Sequence, residues 1–221
     1  VESTSTNMLL EIAVSAEGEA VELKMDIDSD AVMKTAESYA KGNVDVNMLG
    51  MKNAIELELY QVVEDGKYVN YAGILGQWGR QELDEKPQIT TELFDEFGKA
   101  FAEFQLNKNL VKVNGKECFE LKGDVSSAVV SYMMYSDLSK EMGLEEYFDE
   151  DELEDMKIPC TLAIYKKDVL PAQITLDMKG MFDSMSGMEE VDVDKCSLVV
   201  TYNEYNKVGK IEVPEEVLEE A

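Results

Sequence analysis

The chain has 221 residues, and its 47 acidic residues against 20 basic ones give a formal net charge of −27 at pH 7. A surplus of this size repels phosphate backbones and anionic lipid headgroups, so we expect no nucleic-acid partner. Histidine is absent, which removes the commonest general base, the usual neutral metal ligand and every Ser-His or Cys-His pair. We therefore expect no enzyme, no cofactor and no metal site.

Alternation of apolar and polar residues dominates the chain and predicts half-buried β-strands. The alternating runs cover residues 21–27, 55–59, 162–164, 174–178 and 198–202. Turn signals at Glu17-Gly18, Asp65-Gly66 and Asn114-Gly115 are short enough to join neighbouring antiparallel strands. These features predict a meander with one dry face and one wet face.

Segments with helical spacing interrupt the strands. Phe94, Phe97, Phe101 and Phe104 recur every three or four residues within 90–104, which indicates an amphipathic helix. A second stripe within 126–142 ends at Gly143, a usual residue after a helix. An acidic segment at 145–155 is predicted as a surface helix or turn, with loose Ca²⁺ binding as the alternative. Pro214 predicts a short acidic helix near the C-terminus.

The fold class expected from these elements is α+β. A sheet that is wet on one side needs cover on the other, and about ten twisted strands curl toward a barrel. We expect a strongly curved antiparallel meander, an unclosed barrel, with two to three helices covering its concave face. The length suits one domain over residues 1–221, in which residues 1–6 form a flexible polar lead.

The three cysteines, Cys118, Cys160 and Cys196, are widely spaced and lie in apolar runs. At most one disulfide can form among them. Because an unpaired buried cysteine behaves as a small hydrophobic residue, we predict buried free thiols.

Several local motifs, taken in order, resemble small Gram-positive-type extracytoplasmic lipoproteins built on the LolA-like lipoprotein-carrier fold. The motifs are Leu59-Tyr60, Asp65-Gly66-Lys67-Tyr68-Val69, Gly76-Gln77-Trp78, residues 113–121, Ile164-Tyr165-Lys166-Lys167 before Leu170-Pro171, Tyr205-Asn206 and residues 211–217. The resemblance covers most of the chain and implies an unclosed antiparallel barrel that wraps helices around an apolar cavity.

The resemblance also implies a location outside the cytoplasmic membrane, with a lipidated cysteine as the anchor. No cysteine lies near the start of this sequence, so the anchor would belong to a removed N-terminal lipobox segment upstream of Val1. Membrane contact is expected only through that anchor. The family offers no catalytic residues to carry over.

The candidate ligand-binding residues are the aromatic and methionine side chains of the two predicted helices. They are Phe97, Phe101, Tyr132, Met133 and Met134. Methionine adapts to irregular apolar partners, but ordinary core packing explains the same residues, and both interpretations stay open. Asp26, Asp28 and Asp30 with Glu37 imitate a calcium loop, yet Ala31 stands where that loop requires glycine. No calcium site is predicted there.

The leading functional hypothesis is a non-enzymatic extracytoplasmic lipoprotein-like domain that binds or carries an apolar ligand, a lipid or an acyl chain, between sheet and helices. The alternative is a structural or regulatory protein-interaction domain with a filled core, which acts through its acidic surface. A cavity of several hundred Å³ favours the carrier. Normal packing density throughout favours the interaction domain.

Overall fold

The computed structural model describes residues 1–16, 19–83, 101, 103–126, 156–185 and 191–221, and most of them lie in β-strands. The strands are β1 (Ser3–Ala16), β2 (Glu19–Val32), β3 (Glu37–Met48), β4 (Met51–Glu64), β5 (Lys67–Ile74), β6 (Gln77–Leu83), β7 (Gln105–Leu106), β8 (Val111–Val113), β9 (Lys116–Ser126), β10 (Lys157–Tyr165), β11 (Pro171–Asp177) and β12 (Val191–Tyr205). The helices within these ranges are α1 (Lys179–Met185) and α2 (Glu215–Glu220).

The strands are hydrogen-bonded in the order β6-β5-β4-β3-β2-β1-β12-β11-β10-β9-β7, and β8 pairs with β9. Strands that follow each other from β1 to β6 pair antiparallel, which confirms the predicted meander. No helix in the described ranges is long and apolar enough to cross a membrane.

The α+β prediction is wrong. The described residues form a mostly β protein with two short helices, not a sheet covered by two or three helices. The first four strands are 12 to 14 residues long, about twice an ordinary strand, so strand pairing takes up most of the chain. The predicted helical segments at 90–104, 126–142 and 145–155 lie almost wholly outside the described residues.

Two-residue turns with glycine second join several hairpins. Asp65-Gly66 and Asn114-Gly115 connect strands as predicted, and Leu49-Gly50 and Leu75-Gly76 do the same. Both residues of each pair have positive φ, between 49° and 80°. This backbone matches the right-handed twist of paired strands and strongly favours glycine. The predicted turn at Glu17-Gly18 lies outside the described residues.

The chain divides into two compact units, and the one-domain expectation stays a prediction. Unit 1 comprises residues 1–89 and 199–221, and unit 2 comprises residues 90–198. In unit 1, residues 3–6 form the start of β1 and not the flexible lead we expected. Ser3 and Thr4 are buried there, because β1 pairs with β2 along its full length.

The C-terminal segment of unit 1 packs on one face of β4 to β6. The buried cluster there consists of Tyr60, Val62, Val69, Tyr71, Ile211 and Val217. Pro214 precedes α2 as predicted. The backbone N–H of Asn206 donates to the backbone carbonyl of Ser3 at 2.8 Å. The tail thus covers this face and stabilises the strands beneath it.

The described strands of unit 2 share buried apolar side chains. Its largest fully buried side chains are Ile158, Leu176, Met178, Val125, Cys118 and Cys196. The three cysteines are free and buried, as predicted. Burial raises the pKa of the Cys160 and Cys196 thiols to about 12.

Candidate ligand-binding face

An extended apolar patch lies on one face of β1 to β4 in unit 1. The register places every second residue of these strands in rows across the sheet, and alternate side chains share a face. We define the apolar patch as Met8, Leu10, Ile12 and Val14 of β1, Val21, Leu23, Met25 and Ile27 of β2, Val44, Val46 and Met48 of β3, and Met51, Ile55 and Leu57 of β4. Four strands about 4.8 Å apart and six residues of rise make it about 14 Å wide and about 20 Å long.

The apolar patch is only partly covered. Met25, Ile27 and Val44 are buried at its centre, while the patch residues of β1 and the leucines of β2 and β4 are half-buried. At the tip of the β3–β4 hairpin the patch is open, since Met48 is 47% and Met51 59% exposed. Apolar side chains that keep this much accessible surface can bind an apolar ligand.

Gly42 occupies the middle of the patch face, opposite Ile27 and Leu57. A Cβ at this position would overlap the Asp26 carbonyl oxygen and lie 2.7 Å from the Ile27 Cα. A glycine in a strand often marks such a close backbone approach. The missing side chain brings β2 and β3 together at the centre of the patch.

Beyond the patch, and past one row that holds Thr6, Ser29, Ala40 and Leu59, the same face carries a row of neutral and mostly polar residues. Thr4, Ala31, Ser38, Gln61 and Asn70 form one row across β1 to β5, which we call the polar row. The side-chain amide of Gln61 donates to the Ala36 carbonyl at 2.8 Å. None of these residue types ionises near neutral pH, so this end of the face is polar but uncharged.

The opposite face of the same strands carries many charged side chains, apart from the buried cluster that includes Tyr60 and Val62 of β4. The side chain of Asn7 donates to Asp26 and Asp28 at 2.9 and 3.0 Å, and the bond from Asn7 holds the pKa of Asp26 below its usual range. These aspartates lie along β2, as the sequence predicted. The two faces of one sheet therefore differ sharply in chemistry.

A tyrosine–glutamate cluster also lies on this charged face. Tyr39 and Tyr60 donate to Glu58 at 2.8 and 3.0 Å, and Lys41 donates at 3.1 Å. Burial pushes the pKa of Glu58 upward, but these three hydrogen bonds outweigh it and hold the pKa below its usual range. Burial, with the bond to Glu58, raises the pKa of Tyr60 to about 12. The cluster stabilises the sheet beneath the C-terminal segment.

Unit 2 has an open cleft of about 410 Å³. Its lining includes residues of both charges, Glu103, Lys122, Asp124 and Lys157. A site for an apolar ligand is lined mainly by apolar and aromatic side chains. The cleft does not match the predicted apolar cavity.

Of the predicted ligand-binding residues, the structure describes Phe101. Its ring lies edge-on to Phe104 with centroids 5.0 Å apart, and the Phe104 ring occupies the space where a side chain of residue 123 would stand, because that residue is glycine. Both rings belong to unit 2. The other four, Phe97, Tyr132, Met133 and Met134, lie outside the described residues, so their role stays a prediction.

Sequence reasoning did not select the apolar patch as a site. The alternation at 21–27 and 55–59 identified part of it as the dry face of a sheet. The signal that was missed is register, which aligns Gln61 and Asn70 in one row with Thr4, a residue more than fifty positions earlier in the chain.

The structure resembles a solved protein in fold. LprF from Mycobacterium bovis matches with a TM-score of 0.51 and 14% identity, over 96% of this chain and 89% of that one. At this identity the likeness shows the fold alone, and it is consistent with the lipoprotein-carrier-like fold that the sequence resemblance implies.

Two other solved structures have low scores. A beta-barrel-like protein of domain of unknown function DUF1849 from Brucella abortus has a TM-score of 0.29 and 10% identity, over 91% of this chain and 96% of that one. A DUF1329 family protein from Desulfovibrio piger has a TM-score of 0.25 and 7% identity, over 94% and 88%. At these scores the likeness carries no structural argument.

No curated protein sequence matches the chain. One family model matches, and it does so over residues 1–221. The chain therefore belongs to the family of unknown function DUF6612.

Proposed function

We propose that this protein is a non-enzymatic, extracytoplasmic binding domain that holds or carries an apolar ligand, a lipid or an acyl chain, on the apolar patch of unit 1. The observation that carries the proposal is the incomplete burial of this patch. Its half-buried leucines and its exposed hairpin tip extend over several strands of one face.

The contrast between the two units supports this choice of surface. In unit 2 the strand side chains Ile158, Cys160 and Leu176 are at most 3% exposed, so the apolar side chains of these described strands are already covered. In unit 1 the patch keeps accessible apolar surface. Covering it with a ligand contributes about 25 cal/mol for each Å² of apolar surface buried, before the costs of association.

Three carboxylates of unit 1 lack the property that a general acid needs. A carboxyl group that serves as a general acid needs a raised pKa. Asp26, Glu58 and Glu82 have lowered pKa values, through hydrogen bonds from Asn7, from Tyr39 with Lys41 and Tyr60, and from Lys67 respectively. These three carboxylates are therefore stabilised in their charged form.

The location outside the cytoplasmic membrane is part of the same proposal. It rests on the sequence resemblance to LolA-like lipoproteins, and the fold shared with LprF is compatible with it. Cell fractionation of the native organism, with and without protease treatment of intact cells, tests it directly. Recovery in the cytosol and protection from protease would contradict it.

Titration of the full chain with a fluorescent acyl probe tests whether the apolar patch binds an apolar ligand. Leu57→Gln places a polar amide in the patch, and we expect it to weaken probe binding at least fivefold, since about 1 kcal/mol or more of apolar contact is lost. The matched control is Glu56→Gln, which creates the same side chain one position earlier on the opposite, exposed face. The control should bind like the wild-type protein.

Absence of probe binding to the wild-type protein would remove the carrier hypothesis. The protein-interaction domain would then become the better explanation of the chain. Equal loss of binding in both variants would show that the probe does not use the apolar patch.

A further inference from the structure

An unpartnered acceptor is buried in the polar row. Asn70 is 5% exposed, and its Oδ1 atom meets no hydrogen-bond donor within the described part of the chain. A buried polar atom without a partner costs free energy that a hydrogen bond recovers. Natural structures keep few such atoms, and each calls for an explanation.

The surroundings of Asn70 are polar and uncharged. Gln61, directly opposite on β4, uses its amide nitrogen to hold the Ala36 carbonyl. On its other side, Gln81 of β6 stands directly opposite Asn70. Both facing residues are neutral amides, while the Asn70 oxygen stays available as an acceptor.

Three of the five residues of the polar row are buried. Thr4, Gln61 and Asn70 are each at most 9% exposed, whereas Met48 and Met51 at the hairpin tip are about half exposed. Asn70 lies on the patch face by the alternation of β5 and its register with β4. An elongated ligand on this face therefore has a neutral polar end and an open apolar end available to it.

Charge at the ligand's polar end is disfavoured. A carboxylate would bring another acceptor against Asn70 Oδ1 and would lose its water without a cationic partner in the row. A net charge of −27 adds long-range repulsion. A hydroxyl or an amide N–H supplies the donor that the site lacks.

Building on the proposed function, we infer that the ligand is an uncharged amphiphile whose hydroxyl or amide N–H donates to Asn70 Oδ1. Its acyl chain lies along the apolar patch toward the β3–β4 hairpin tip. The polar end is thus bound at the polar row.

The test is displacement of a fluorescent acyl probe from the full chain by four palmitoyl compounds. Monopalmitoylglycerol offers hydroxyls, palmitamide offers an amide N–H, methyl palmitate offers no donor, and palmitate adds a negative charge. We expect the better of the two donor compounds to bind about tenfold more tightly than methyl palmitate, because a tenfold difference in affinity corresponds to about one hydrogen bond. Palmitate should bind most weakly, and the order of the first two identifies the donor.

Asn70→Leu keeps the branching of the side chain but removes the acceptor oxygen. In this variant the affinities of the donor compound and of methyl palmitate should differ by no more than about twofold, because the hydrogen bond that separates them is lost. The matched control is Asn53→Leu, the same change on the same face, at an exposed position near the hairpin tip. It should keep the tenfold preference.

Equal binding of all four compounds to the wild-type protein would overturn the inference and leave the carrier function standing. Retention of the tenfold preference by Asn70→Leu would overturn it as well. Absence of binding by the probe and by every palmitoyl compound would instead remove the proposed function itself. The wild-type series is decisive even if the Asn70 variant fails to fold.

Discussion

Single glycines decide how closely the strands of unit 1 approach one another. Gly42 and Gly79 both lie within strands on the patch face, but only Gly42 faces the backbone of a neighbouring strand. A Cβ at Gly79 would meet nothing within 4 Å. The same substitution should therefore act in opposite ways at these two positions.

Gly42→Ala should lower the free energy of unfolding by about 1–3 kcal/mol, because β2 would have to move away from β3. Gly79→Ala should be neutral or stabilising by up to about 1 kcal/mol, since alanine restricts the unfolded chain. Urea denaturation of both variants measures the difference. Equal stability of the two would contradict the close backbone approach at Gly42.

The three buried cysteines should be unreactive in the folded protein. Cys118, Cys160 and Cys196 are at most 3% exposed, and burial raises the pKa of all three thiols. At pH 8 a thiol reagent such as DTNB should label none of them in the folded protein and all three in denaturant, because the thiolate is the reactive form. Rapid labelling of any one thiol in the folded protein would contradict this burial.

The same thiols make stability depend on pH in the alkaline range. Between pH about 9 and about 12 the unfolded chain loses thiol protons that folded Cys160 and Cys196 keep. The folded state then binds more protons than the unfolded state, so their contribution to stability falls as the pH rises.

The short helix α2 contributes to the buried cluster of unit 1 although it has only six residues. Val217 is 3% exposed and belongs to the cluster with Tyr60 and Val69, whereas its neighbour Leu218 is 48% exposed. One side of this helix covers the sheet, and the other faces solvent.

Val217→Ala should destabilise the protein by about 2 kcal/mol through lost burial and a residual cavity. Leu218→Ala removes a larger side chain yet should cost less than about 0.5 kcal/mol, because exposed positions tolerate change. Thermal denaturation of the pair is the measurement. A larger loss for Leu218→Ala would show that α2 packs through its other side.

The strands were the elements that sequence predicted best. The alternating run 21–27 lies within β2, the run 174–178 extends one residue past the end of β11, and Asp65-Gly66 turned the chain as expected. The turn at Leu49-Gly50 escaped prediction because a large apolar residue with positive φ is unusual. Helix α1 escaped because seven residues give too little periodicity to recognise.

The site itself could be predicted only in part. The apolar side of β2 and β4 follows from alternation, which needs only local sequence. The polar row depends on the register of five strands, and a shift of one residue would turn Asn70 to the other face. No local pattern fixes that alignment.

For the whole molecule, the net charge of −27 destabilises the folded state, since like charges repel more strongly in a compact chain. Salt shortens the screening length from about 30 Å at 0.01 M to about 3 Å at 1 M. The exposed ion pairs, such as Lys67 with Glu82, contribute little at any salt concentration.

Raising NaCl from 0.01 M to 0.5 M should therefore raise the melting temperature by several degrees. Differential scanning calorimetry at constant pH measures this change, and KCl at equal concentration controls for the identity of the cation. A fall in melting temperature would show that favourable ion pairs outweigh the overall repulsion.

The central claim is that the apolar patch of unit 1 holds an apolar ligand, and native mass spectrometry of the full chain as purified, followed by organic extraction, tests it most directly. We expect a stoichiometric, extractable lipid or acyl adduct on the wild-type protein and on Glu56→Gln. The same adduct should be lost or strongly reduced on Leu57→Gln. A bare protein mass for the wild type, together with no binding of acyl probes, would contradict the claim.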